Sequence, residues 1–142
     1  MAKAFPRLLL AVSAILLAFG GIMHARAFGG TVAAVAASNL PTFYAKSLKA
    51  LWLIDSATLL TLSVIFGLIA SRPYMARRPV ILLLAVVPGA TAYFLYRFLG
   101  NFLPAHMLVA AAVTAALGGF GIGSIAMEPP QTEPTGHQRK DA

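Results

Sequence analysis

The chain has 142 residues, of which 59% are hydrophobic and 11% charged, and it has no cysteine. Ordinary soluble domains carry roughly 25% charged residues, so the charges present are too few to coat a water-soluble particle of this size; the lack of cysteine excludes a disulfide framework, thiolate metal sites and thiol redox chemistry. The net charge of +7 does not point to nucleic acid, because the basic residues are not gathered on one face but sit between long apolar runs, as topology signals do.

The first apolar run extends from Leu8 to Met23, or from Phe5 with its flank, and follows Lys3 and Arg7. It is slightly short for a spanning helix, which needs about 20 residues to cross roughly 30 Å of hydrocarbon. The same stretch, ending in Gly20-Gly21 and Ala25-Arg26-Ala27, also fits a secretory signal with a cleavage site. Arg26 is awkward so near a cut, and a retained helix is the preferred reading. The link from His24 to Lys49 is the longest connection. Gly29 to Ser38 is alanine-rich and suits a short surface helix; Pro41, Phe43 and Tyr44 suit a turn followed by interface aromatics.

The second run goes from about Ala50 to Ala70 between Lys49 and Arg72, and the third from Val80 to Leu99 after Arg77 and Arg78. Pro88-Gly89 lies midway in the third; proline removes a backbone donor and predicts a bend. The fourth run goes from Phe102 to Met127 and stops at Glu128 and two prolines. The short link around Gly100 to Pro104 makes the third and fourth segments antiparallel neighbours. The pattern predicts an all-α, polytopic membrane protein: a four-helix antiparallel bundle in residues 1–127, with helices at about 5–24, 49–71, 79–99 and 102–126. Residues 128–142 are polar and proline-containing and predict a disordered cytoplasmic tail.

Orientation follows from the basic residues. With the N-terminus inside, Lys3, Arg7, Arg72, Arg77, Arg78, Arg139 and Lys140 are cytoplasmic, and Arg26, Lys46, Lys49 and Arg97 are outside or near the outer interface. The short Arg72 to Arg78 loop counts most. Both termini are therefore expected in the cytoplasm, and the membrane is expected to be the plasma (inner) membrane. Ala111, Ala115, Gly119 and Gly123 form a small-residue stripe at four-residue steps, with a weaker one at Ala11, Ala14 and Ala18. Such stripes pack helices within a chain or form a homodimer or larger membrane complex.

The polar residues of the spans carry the functional expectations. Asp55 is the only acid before Glu128. It lies about 7–8 Å inside the outer edge of the second helix, where an ionisable group is costly and usually faces the bundle interior or water. Thr58 is one turn deeper and Ser56 adjacent. Topology brings His24, Trp52, Asp55, Tyr96, Arg97 and His106, with Asn101, to the same membrane face. These are the candidate ligand-binding residues. Each has a plain use as well: Asp55 and Arg97 could pair as a staple, and Trp52 and Tyr96 could be belt aromatics. A convergent cluster could hold a haem on its two histidines, bind a metal with Asp55, or act on protons or a lipid-like or quinone-like ligand. Phosphate-loop, HExxH, GxSxG and zinc-type spacings are absent. The leading expectation is a non-catalytic accessory or scaffold protein in membrane lipid, binding partner helices. The alternatives are the outer-face ligand or proton site and a small dimeric transporter using Asp55.

Overall fold

Why these runs become helices is plain from their composition. Each is apolar on all sides, so a helix satisfies its backbone internally without water. The computed structural model describes residues 4–125. Five α-helices make up almost all of it: α1 (Ala4–Arg26), α2 (Phe28–Ala36), α3 (Thr42–Ser71), α4 (Arg78–Leu99) and α5 (Leu103–Ile125), with a 3-10 turn at Pro73–Met75. Among the described residues, four helical runs are long and apolar enough to cross a membrane: α1 continued by α2, then α3, α4 and α5. The tail 128–142, Lys3, Arg139 and Lys140 lie outside the described residues.

Helix ends follow local chemistry. Pro6 and Pro79 stand in first turns, where no helical hydrogen bond is lost. Pro41 is the N-cap of α3, with ψ at 144°. At the other end of α4, Gly100 adopts φ +80° and its N–H bonds to Tyr96 O, a left-handed position that suits glycine. α4 continues through Pro88, which is buried.

The long connection is more helical than its composition implies. The surface helix expected at Gly29 to Ser38 is α2, but it follows α1 after a break at Ala27. α3 begins at Thr42 and not near Lys49, because nothing from Thr42 to Lys49 stops a helix once Pro41 has started it. Phe43 and Tyr44 therefore sit in its first turn, both exposed and edge-to-face with ring centroids 5.5 Å apart.

Packing fixes a helix order that hydropathy does not reveal. α1 packs against both α3 and α5, and α5 against both α1 and α4, whereas α3 and α4 hardly touch. The order across the molecule is α3, α1, α5, α4, with each neighbouring pair antiparallel. α1 buries Leu10, Ser13, Ala14, Leu17 and Gly21, a face recurring at three and four residues. Two serines tie it to its neighbours: Ser13 Oγ donates to Ala111 O at 2.9 Å, and Ser63 Oγ to Ala14 O at 2.7 Å. α5 is thin enough to serve two partners. A Cβ on Gly118 would meet Pro6 O of α1 at 2.9 Å, and one on Gly119 would meet Ile81 Cγ2 of α4 at 2.9 Å. Ala111 and Ala115 are fully buried in the same core. These members of the small-residue stripe are thus used inside the chain. The outward surface is apolar, with Leu8, Ile15, Val64, Leu83, Val86 and Leu117 all exposed.

Candidate functional site

The last turn of α1 and the first half of α3 bring four side chains together. Trp52, Asp55 and Ser56 stand three and four residues apart on α3, a spacing that places them on one helix face. His24 reaches them from α1. The indole and imidazole rings stack with centroids 4.1 Å apart and planes 11° from parallel. Trp52 Nε1–H donates to His24 O at 2.7 Å, supplying a donor to one of the carbonyls that a helix C-terminus leaves unpaired.

The hydrogen bonds define the direction of the imidazole. Ser56 Oγ donates to Trp52 O at 3.0 Å, one turn back on its own helix. A hydroxyl has one proton, so its 2.9 Å bond with His24 Nδ1 is one in which the ring N–H donates to Ser56. Nε2 then faces Asp55 Oδ2 at 3.6 Å. That distance is an ion-pair contact and longer than a hydrogen bond. A neutral imidazole protonated at Nδ1 has only a lone pair at Nε2. With a proton on Nε2 or on the carboxyl the two facing atoms attract one another. The pair is open, with side-chain exposures of 28% for His24 and 38% for Asp55.

Serine, histidine and aspartate in one cluster invite a comparison with nucleophilic hydrolases, and the geometry does not fit. Ser56 is 3% exposed, lies within a helix, and directs its proton to a backbone carbonyl. A nucleophile needs an accessible oxygen, a base positioned to take its proton and donors for the oxyanion. The serine here is a rest for the imidazole.

The other expected members are elsewhere. Tyr96 and His106 meet edge-to-face across α4 and α5, with centroids 5.5 Å apart. His106 Nδ1 bonds to Phe102 O of its own helix at 2.9 Å. Arg97 is exposed and its guanidinium lies 5.8 Å from the centroid of the Phe98 ring. The staple expected between Asp55 and Arg97 does not form; Asp55 pairs with His24 instead. The cause is the helix order, which puts α3 and α4 on opposite flanks of α1 and α5. Thr58 bonds back to Ile54 O at 2.8 Å and takes no part. Asn101 is exposed in the link between α4 and α5.

The expected single cluster is thus two: His24, Trp52, Asp55 and Ser56 on α1 and α3, and Tyr96 with His106 on α4 and α5. Among the described residues, no three His, Cys, Asp or Glu side chains are grouped to hold a metal ion. With its two ring nitrogens turned to Ser56 and Asp55, His24 has none directed at a haem shared with His106. Ser56 is the member that sequence reasoning noted only as a neighbour of Asp55. Its signal was a small polar residue four places after the only tryptophan, on the face that carries the acid. No protein-family model, no curated protein and no solved structure matches this chain.

Proposed function

We propose that the chain is a non-catalytic, multi-pass protein of the plasma (inner) membrane, with both termini cytoplasmic, which holds the hydrogen-bonding headgroup of a lipid-like or quinone-like amphiphile at its outer end. The observation that carries this reading is the open 3.6 Å gap between His24 Nε2 and Asp55 Oδ2 beside the Trp52 ring. A ligand hydroxyl can bridge those atoms, accepting from the ring and donating to the carboxylate. The approach is apolar, because Leu51, Leu53 and Ile54 on the same stretch of α3 are exposed. An ionisable pair within a spanning segment is costly unless it has such a use or a structural one. The orientation rests on the bias of basic residues toward the Arg7, Arg72, Arg77 and Arg78 end.

A second reading, an accessory or scaffold protein binding partner helices, is favoured by one fact: no buried side-chain nitrogen or oxygen among the described residues lacks a partner. On that reading the cluster serves only to join α1 to α3.

Trp52 is the only tryptophan, so its fluorescence reports on the site alone. Purified protein in mild detergent is titrated with a short-chain alkyl benzoquinol, whose hydroxyl can both accept from the ring and donate to the carboxylate. The ligand reading expects saturable quenching that weakens roughly tenfold in Asp55→Asn, the size of one lost charge-assisted hydrogen bond. Linear quenching, identical in wild type and variant, supports the scaffold reading and sinks the other.

A further inference from the structure

The end of the molecule opposite His24 carries a groove of about 900 Å³ between α1 and α3, lined by Phe5, Ala11, Ala14, Ile15, Gly67 and Ala70 among others. Small residues on both helices leave the space. A Cβ built on Gly67 would meet only Ala14 Cβ, at 4.0 Å. The lining follows α1 from Ala4 to Ile15, roughly 17 Å at the rise of an α-helix. One leaflet of a bilayer with a ~30 Å hydrocarbon core has about that depth.

Arg7 also lines the groove. Its Nε–H donates to Ala70 O at 2.7 Å and its Nη2 to Ser71 O at 3.3 Å, which holds the guanidinium over the C-terminus of α3. A guanidinium has five N–H donors, so three remain beyond those two bonds. Arg72, Arg77 and Arg78 stand at the same end, where α3 finishes and α4 begins. The one acid among the described residues, Asp55, is at the opposite end. The plain use of these arginines is to set topology. Topology needs only their charge, however, and does not require a guanidinium fixed by two bonds beside an apolar groove.

We propose that this groove holds an acyl chain of an anionic glycerophospholipid, with the phosphate on Arg7. Charge complementarity selects that occupant over a neutral lipid: among the described residues this end carries arginines and no acid, and guanidinium groups offer planar donors to phosphate. The proposal rests on the membrane-spanning reading above but not on the headgroup site at His24 and Asp55.

The test is native mass spectrometry of delipidated protein in mild detergent, offered phosphatidylglycerol or phosphatidylcholine with identical chains. Wild type is expected to retain phosphatidylglycerol roughly tenfold better, as one charge-assisted contact implies. Arg7→Gln should remove that preference, Gly67→Leu should reduce retention of both lipids, and Arg97→Gln at the other end should change nothing. Gly67→Leu leaves the bonds of Arg7 in place, so with helix content and thermal midpoint retained it carries the test even if Arg7→Gln loosens α1. Equal retention of the two lipids, a preference that follows Arg72→Gln or Arg77→Gln and not Arg7→Gln, or a groove occupied by a second copy of the chain would each overturn the proposal. Recovery of the protein in water without detergent would overturn the membrane reading along with it.

Discussion

Asp55 was legible in the sequence as the single acid among apolar runs, and its partner was not. The reason is that an ion pair depends on which helices touch and how they are rotated. Hydropathy fixes neither. Arg97 shares a membrane end with Asp55, but α1 and α5 stand between their helices, so His24 makes the pair at 3.6 Å. Residues whose bonds join helices should have measurable effects of modest size. Ser13→Ala removes the donor to Ala111 O across α1 and α5. Interhelical hydrogen bonds in membranes average about 0.6 kcal/mol with a maximum near 1.7. Ser13→Ala should therefore lower stability by about that amount in a reversible detergent-unfolding measurement, whereas Thr91→Ala, whose hydroxyl bonds only to Val87 O of its own helix, should be close to neutral.

The element scale was the most legible. Four apolar runs became four helical runs, because length and hydropathy speak directly to that question. The misreading was at the start of α3, where polar and aromatic residues after Pro41 resembled a loop but carried no helix stop. Small residues show how one helix can serve two neighbours. Gly118 lets α1 approach and Gly119 lets α4 approach, on adjacent positions of α5. Gly119→Leu should force Ile81 away and cost about 1–3 kcal/mol, the range for overpacking a filled core, read as a lower thermal midpoint in detergent. Gly20→Ala, where a Cβ meets nothing within 4 Å, should leave the midpoint unchanged or raise it slightly, because alanine favours the helix.

At the scale of the whole molecule, the helix order gives the two ends different chemistry. One end has the stacked His24 and Trp52 with Asp55 and Ser56; the other has Arg7 in an apolar groove, with Arg72, Arg77 and Arg78 at the same end. The polar bias between ends could be read from residue positions, because alternating helices return every second terminus to the same side. The division of the polar end into two clusters could not, since it depends on α1 and α5 forming the centre. The proposed topology has four crossings, with the His24 end outside and the basic end inside. The chain has no cysteine, so single cysteines report position without background. Ser38→Cys, Tyr74→Cys and Asn101→Cys stand in the three links between spans. In intact cells, an impermeant maleimide should label Ser38→Cys and Asn101→Cys, and should label Tyr74→Cys only after the membrane is opened. Labelling of Tyr74→Cys from outside, or protection of either of the other two until permeabilisation, would contradict the account.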